Sequence, residues 1–289
     1  MKVSGFTFIR NAITYDYPVV EAILSILPLC DEVVVAVGKS EDDTRKLIES
    51  IDPKIRIIDT IWDDSLREGG RVLAVETDKA LAQVSKDSDW AFYIQGDEVI
   101  HEKYHSEILR GMKMHKDNSK VDGLLFKYLH FYGSYDYVGT STSWYHSEIR
   151  IVKNTGNIHS FRDAQGFRKS PDDLLKVKEL NAYVYHYGWV KPPEVMQKKQ
   201  ETFHKLWHND EWLEKNVVKA EDFDYESNIS ELGKFKGTHP KVMEERLAKE
   251  NWKFDYDISF NRSTLKDKFK KFCKNRLGLD FTYQNYKKI

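Results

Sequence analysis

Trp90-Ala91-Phe92-Tyr93-Ile94 runs straight into Gln95-Gly96-Asp97-Glu98, and this junction holds the residue types best suited to chemistry. Glycine lets the backbone bend sharply, and two adjacent short carboxylates offer hard oxygen ligands to Mg²⁺ or Mn²⁺. On spacing alone the same two acids could simply cap a helix near Glu102 to Met114. Other catalytic templates are missing from the sequence: GxxxxGK[ST], a GxGxxG after the first strand, and GxSxG. P-loop hydrolysis, dinucleotide redox chemistry and elbow-type ester hydrolysis therefore lack their signatures. A paired-carboxylate glycosidase is not excluded by spacing, but the order of elements around the turn argues for nucleotide binding.

Those elements alternate between two hydrophobic periods over the first hundred residues, as βα units of a mostly parallel sheet do. Val3 to Ile9 reads as a strand, and Pro18 to Leu29 as a helix with Val20, Ile23, Leu24 and Leu27 on one stripe and Asp16 as its cap. Val33-Val34-Val35-Ala36-Val37 is a continuous β-branched run of the kind buried on both faces. Thr44 to Ile51 is expected to be helical, Lys54 to Ile58 extended, and Gly69-Gly70 opens a helix carrying Leu73, Ala80, Leu81 and Val84. Trp90 to Ile94 is the fourth strand, so Gln95 to Glu98 falls at the carboxyl end of the sheet, where open α/β folds bind ligands. Further on, a helix over Lys103 to Met114 and strands over Gly123 to Phe131, Glu148 to Lys153 and Ala182 to Tyr187 follow. From Pro192 the pattern turns helical and polar, and Leu265 to Leu277 forms a basic amphipathic segment with Phe269, Phe272 and Leu277.

Composition narrows the partners. Lys and Arg number 45 against 46 Asp and Glu, so a net charge of -1 gives no field that would draw nucleic acid. The 13% aromatic share, in a chain of 289 residues, exceeds what solvation tolerates and points to a core or a stacking surface. Cys30 and Cys273 match neither a disulfide framework nor a metal motif, which favours a reducing cytoplasm. The opening Met1-Lys2-Val3-Ser4-Gly5 carries no secretory pattern and no apolar run is long enough to span a bilayer. The expectation is a cytoplasmic protein, with peripheral contact at the inner face of the membrane left open by the basic segment.

In that order of elements, several fragments together resemble the family 2 glycosyltransferases of the GT-A fold, over about the first 190 residues. Phe8-Ile9-Arg10-Asn11-Ala12 resembles the family's opening strand and turn; Ser25-Ile26 and Asp31-Glu32-Val33-Val34-Val35 resemble its "SI…DEIVVV" segment. Ser40, Asp42 and Thr44 match positions of the "DDGSxDxT" loop, Gly70 and Ala74 resemble its glycine-led helix, and Tyr93 to Glu98 takes the place of the DxD. Val37 and Gly38 stand where the family has the loop's first two acids, and Gln95 replaces the first acid of the DxD.

The resemblance implies a Rossmann-type, GT-A-like α/β domain over 1–190 and a helical C-terminal region over 191–289. It implies a metal-dependent, inverting transfer of a sugar from a nucleotide diphosphate to an acceptor hydroxyl, with Mn²⁺ or Mg²⁺ on Asp97, Glu98 and His186. The donor would meet Ile9, Arg10, Asn11, Ser40, Asp42, Gly70, Gln95, Gly96 and Arg150, with Arg162, Arg168 and Lys169 facing it as further cations. Asp163 is the first candidate for the base and Asp172 the second. His130, His146 and His159 rank behind His186. The acceptor, a glycan or lipid-linked glycan of polysaccharide biosynthesis, would stack on part of the set Tyr128, Phe131, Tyr132, Tyr135, Tyr137, Trp144 and Tyr145. Two other readings stay open: a nucleotidyltransferase on a similar sheet, and a non-catalytic carbohydrate- or partner-binding module.

Overall fold

The computed structural model describes residues 1–66, 69–208, 210–216, 220–259, 262, 265–277 and 283–289. Its first elements are β1 (Val3–Ile9), α1 (Val19–Ile26), β2 (Glu32–Gly38), α2 (Thr44–Glu49), β3 (Ile55–Thr60), α3 (Arg71–Leu81) and β4 (Trp90–Tyr93). The strands lie in the order β3-β2-β1-β4, all parallel. The unbroken apolar run of β2 divides by period 2 between two cores. Val33, Val35 and Val37 pack with Ile23 and Ile26 of α1 and Ile48 of α2. Val34 and Ala36 pack with Val72, Leu73 and Ala80 of α3. The split follows from crossover handedness: β1 to β3 build outward with their helices on one face, and α3 must cross back over the other face to lay β4 beside β1. The order reverses between β1 and β4, and the carboxyl ends of these two strands open a crevice there.

The next elements are β5 (Glu98–Ile100), α4 (His105–His115), β6 (Gly123–Tyr132), β7 (Ser134–Gly139), β8 (Ser147–Lys153), β9 (Ile158–Phe161), β10 (Gly166–Lys169), β11 (Asp173–Leu174) and β12 (Lys176–Trp189). β8 runs antiparallel to both β4 and β6, β6 to β7, and β12 lies parallel to β6 but antiparallel to β5. The sheet is thus mixed beyond its parallel N-terminal half, and of these antiparallel pairs only β6 and β7 are joined by a short turn. β9, β10 and β11 form a separate small antiparallel sheet. Two capping expectations fail. Asp97 and Glu98 lead into β5 rather than a helix, and Asp16 sits at φ 46° with its carboxylate 2.6 Å from Arg246, leaving Pro18 at the start of α1.

Residues 191–289 contain α5 (Pro193–Phe203), α6 (Asp210–Asn216), β13 (Leu232–Lys234), α7 (Glu244–Ala248), α8 (Leu265–Leu277) and β14 (Lys287–Lys288). They differ from a helical appendage in joining the main sheet: β13 pairs with β7 and β14 with β12. Tyr225, Ile229, Leu232 and Tyr256 share a core with Tyr132 and Tyr137, so burial of aromatic area fastens this region to the rest. On α8, Phe269 and Phe272 are exposed, and the side chain of Leu277 lies outside the described residues. Among the described residues no helix is long and apolar enough to cross a membrane.

Candidate active site

Gln95 to Glu98 closes as a tight turn, with the Glu98 N–H donating to the Gln95 carbonyl at 3.1 Å. Glycine is needed at position 96 because a Cβ there would lie 2.8 Å from Cδ1 of Ile9, which is itself a core residue beneath the turn. The two acids then part. Glu98 is fully buried and takes a two-pronged ion pair from Arg150, Nε to Oε2 at 2.8 Å and a terminal nitrogen to Oε1 at 2.7 Å. The Tyr128 hydroxyl donates to the same carboxylate at 2.6 Å and the Gln95 N–H at 3.1 Å. Both oxygens are spent, so Glu98 is not placed as a metal ligand. Arg150, 1% exposed, is likewise no donor contact. Burial alone would lower its pKa, but Glu98 holds it well above the ordinary value.

Asp97 points elsewhere. Its Oδ1 lies 3.8 Å from Nε2 of His186 and its Oδ2 3.5 Å from Nζ of Lys199. β12 delivers His186 because its register sets that residue opposite Glu98 on one side and His130 on the other. The Asp97, His186 and Lys199 side chains keep 14, 12 and 10% exposure, so this cluster is reached from outside while the Glu98–Arg150 pair is sealed. Burial pushes the Asp97 carboxyl up, but His186, Lys199 and Lys191 more than offset it and hold it below the usual aspartate range. Lys199 also donates to the Gly188 carbonyl at 2.9 Å, and fully buried Lys191 donates to the Asp16 carbonyl at 2.6 Å.

The 3.8 Å between Asp97 Oδ1 and His186 Nε2 leaves room for a divalent ion between them. Among the described residues no group of three or more His, Cys, Asp or Glu gathers around a metal position, so the protein would offer these two ligands only. Lys199 escapes sequence reasoning because a lysine on a polar-looking helix reads as solvated, and Lys191, in the bend before α5, carries no periodic signal. The available signal is the stripe Met196, Lys199 and Phe203 on α5, where a lysine interrupts an apolar face.

Asp163 sits in the loop between β9 and β10, flanked by two residues in left-handed conformation, Arg162 at φ 57° and Ala164 at φ 64°. Non-glycine residues stay there only when the surroundings hold them. Three bonds do so: Arg150 to the Gln165 carbonyl at 3.0 Å, Gln95 Nε2 to the Ala164 carbonyl at 3.1 Å, and Gln165 Nε2 to Glu148 at 2.9 Å. The same buried Arg150 therefore anchors both the turn before Asp97 and the loop carrying Asp163. Burial, opposed by nearby Arg162 and Arg150, raises the Asp163 carboxyl above its ordinary value. Gly70 packs against it; a Cβ at that glycine, held at φ 70°, would meet the Asp163 Cβ at 2.8 Å, so Gly70 supports the loop rather than opening onto the crevice.

The other expected residues lie apart. Asp172 is 71% exposed at the far end of the small sheet, 3.7 Å from Arg168, and does not reach the site. Arg168 is buried, donating to the Asn285 carbonyl and the Tyr283 hydroxyl, and Lys169 pairs with Asp122 at 2.8 Å. His159 faces Arg168 across β9 and β10. At the ends of β1 and β2, Asn11 (φ 52°) accepts from the Glu41 N–H at 2.8 Å and donates its own N–H to Ser40, while Asp42 accepts from Thr14 and Thr44. These four contacts stitch two loops into one rim. Arg10 lies over Trp62 and pairs with Asp64 at 3.1 Å.

Glu148, 2% exposed, bonds Gln165 through one oxygen while the other has no hydrogen-bond partner. Burial pushes its pKa from 4.5 up to about 8. Between those values the folded chain keeps a proton that the unfolded chain has released, so stability falls as pH rises through that window. Glu148→Gln should remove that slope and raise the melting midpoint at pH 8.5 by roughly 5–10 °C over wild type, with little change at pH 5. Parallel melting curves of the two proteins with equal slopes would refute the assignment.

Two cavities adjoin these residues. One of about 450 Å³ is lined by Tyr132, Trp144 and Trp189 with Ser143, Ser227 and Asn228 at its polar side. It connects to the cluster through Trp144 stacked on His130 at 4.8 Å and His130 against His186 at 3.1 Å. Of the expected aromatic set only Tyr132 and Trp144 line it; Tyr128 serves Glu98, Tyr145 packs on His130, and Phe131, Tyr135 and Tyr137 are core. The other cavity, about 480 Å³, lies along α3 and β9 between Arg71, Asp78, Phe161 and Arg162.

No protein-family model and no curated protein matches this chain. Among solved structures it is similar to S. aureus TarS, at 17% identity and TM-score 0.42, over 70% of this chain and 39% of that one. S. aureus TarS 1-349 in complex with UDP gives 15% identity and TM-score 0.42 over 76% and 68%. Glucosyl-3-phosphoglycerate synthase from Mycobacterium tuberculosis, in complex with Mn²⁺, UDP and glucosyl-3-phosphoglycerate, gives 18% identity and TM-score 0.31 over 46% and 45%. The chain therefore spans less than half the length of the first and the third of these proteins.

Proposed function

We propose that this chain is a nucleotide-sugar glycosyltransferase with its catalytic residues at the switch point between β1 and β4. One observation supports the reading: the turn of Asp97, which faces His186, and the loop of Asp163 are joined through Gln95 and the buried Glu98–Arg150 pair. Open α/β sheets bind nucleotides at such crevices. The rim of Arg10, Asn11, Ser40 and Asp42 would flank the donor nucleoside. Asp97 and His186 would hold Mn²⁺ or Mg²⁺, which when bound offsets charge on the diphosphate. Lys199 adds a fixed positive charge beside it.

Trp144 and Trp189 would stack the acceptor sugar and turn its hydroxyl toward the donor. In the transfer step the acceptor oxygen bonds to the anomeric carbon, the bond from that carbon to the diphosphate breaks, and the acceptor proton passes to the Asp163 carboxylate. The nucleoside diphosphate leaves with the bonding pair, and the anomeric configuration inverts. Residues 1–190 carry this machinery; Lys199 and one wall of the acceptor cavity come from 191–289.

Release of nucleoside diphosphate from UDP-, GDP- and dTDP-sugars, followed with Mn²⁺, Mg²⁺ or EDTA, tests the reading. At least one donor should be turned over, and EDTA should abolish the turnover. Pyrophosphate formed from nucleoside triphosphates would replace it with a nucleotidyltransferase. Thermal stabilisation by a donor without turnover, whatever acceptor is supplied, would replace it with a binding module.

A further inference from the structure

His130 and His186 stand opposite each other on β6 and β12 with their Nδ1 atoms 3.1 Å apart. Two bare nitrogens repel at that separation, so one of them carries a proton. The choice is made on the far side of His130, where Nε2 lies 2.7 Å from the Tyr145 carbonyl oxygen. A carbonyl only accepts, so His130 Nε2 must bear the hydrogen. The ring is 3% exposed, between Trp144 and Tyr128 stacked at 4.8 and 5.3 Å, with Tyr145 edge-on at 4.4 Å. Enclosure among ring faces keeps such an imidazole neutral. Its Nδ1 is then bare and accepts from Nδ1–H of His186. A neutral His186 so arranged has an unprotonated Nε2, the atom that faces Asp97.

We infer that His130 is a positioning residue: it fixes His186 as the Nδ1–H tautomer and turns the lone pair of Nε2 toward Asp97. The opposite tautomer would present a hydrogen to Asp97 and close the gap to an ion. Adopting it would set two lone pairs face to face or sacrifice the His130–Tyr145 bond. The tautomer follows from hydrogen-bond geometry whatever the reaction; its use in holding an ion rests on the proposed transferase reading. Partners of this kind orient metal-binding histidines, and losing one typically weakens metal affinity by about 10–100-fold.

Long-range proton–nitrogen NMR of the full chain, labelled with ¹⁵N-histidine and assigned by comparison with His186→Gln, reads the tautomer directly. Wild type should show His186 protonated at Nδ1 and bare at Nε2. His130→Phe, which keeps a ring but removes the acceptor, should lose that preference and bind Mn²⁺ about 10–100-fold more weakly in the presence of UDP. His130→Gln, whose amide can both accept from His186 and donate to Tyr145, should restore both properties. A wild-type His186 protonated at Nε2 overturns the inference without need of a variant, as does an unchanged tautomer in His130→Phe. Tautomers as expected with no Mn²⁺ binding in any of the proteins would support the positioning role and count against the ion in the proposed function.

Discussion

Asp163→Asn is expected to lower kcat for sugar transfer by about 10²–10⁴-fold, the range usual for loss of a general base. The fold should survive, since asparagine keeps the shape of the loop. Burial already disfavours the charged carboxyl, so removing the charge should leave stability unchanged or raise it. On the proposed reading, the acid limb of kcat/KM of the wild-type protein should lie above the ordinary aspartate range, because activity needs the ionised form and burial raises the pH at which it appears. The residual activity of the variant should lack that limb. A variant within a few-fold of wild type, with the same pH profile, would return Asp163 to being a turn residue.

Breaking the Glu98–Arg150 pair should produce the largest stability change. Arg150→Met leaves a carboxylate in a fully buried site with only a tyrosine hydroxyl and a backbone N–H as donors, and Glu98→Gln leaves the guanidinium without its counter-charge. Each should cost about 3–5 kcal/mol in denaturant unfolding, the usual penalty for stranding a buried charge. The double replacement Glu98→Leu with Arg150→Met should recover part of that loss, since it strands no charge, although the Tyr128 hydroxyl and the Gln95 N–H lose their acceptor. The recovered fold should still transfer sugar poorly, because Arg150 also fastens the Gln165 carbonyl in the loop of Asp163. Single variants costing under about 1 kcal/mol, or a double variant as unstable as either single one, would show that the pair does not join the two loops energetically.

The boundary between what the sequence carried and what it concealed runs through one dipeptide. Asp97 and Glu98 are chemically alike and adjacent, so composition and spacing treat them as one ligand pair. Folding sends them to opposite fates: successive residues entering a strand face opposite ways, and Arg150 on β8 waits on one side while His186 and Lys199 wait on the other. Nothing local to residues 95–98 encodes which partner arrives, since Arg150 and His186 lie 52 and 88 residues beyond Glu98 in a difference of numbering.

What the sequence determined alone was the scaffold: the strands and helices of the first hundred residues, and the placing of the Gln95 to Glu98 turn at the carboxyl end of a parallel sheet. Those features follow from hydrophobic period and from glycine and proline, which act over a few residues. Tertiary structure decided the roles. It buried Glu98 with Arg150, left Asp172 in solvent, drew the C-terminal region into the sheet and brought Lys199 to Asp97. Burial and charge pairing are properties of long-range contacts, and they separate a carboxylate that holds the fold together from one that can meet a substrate.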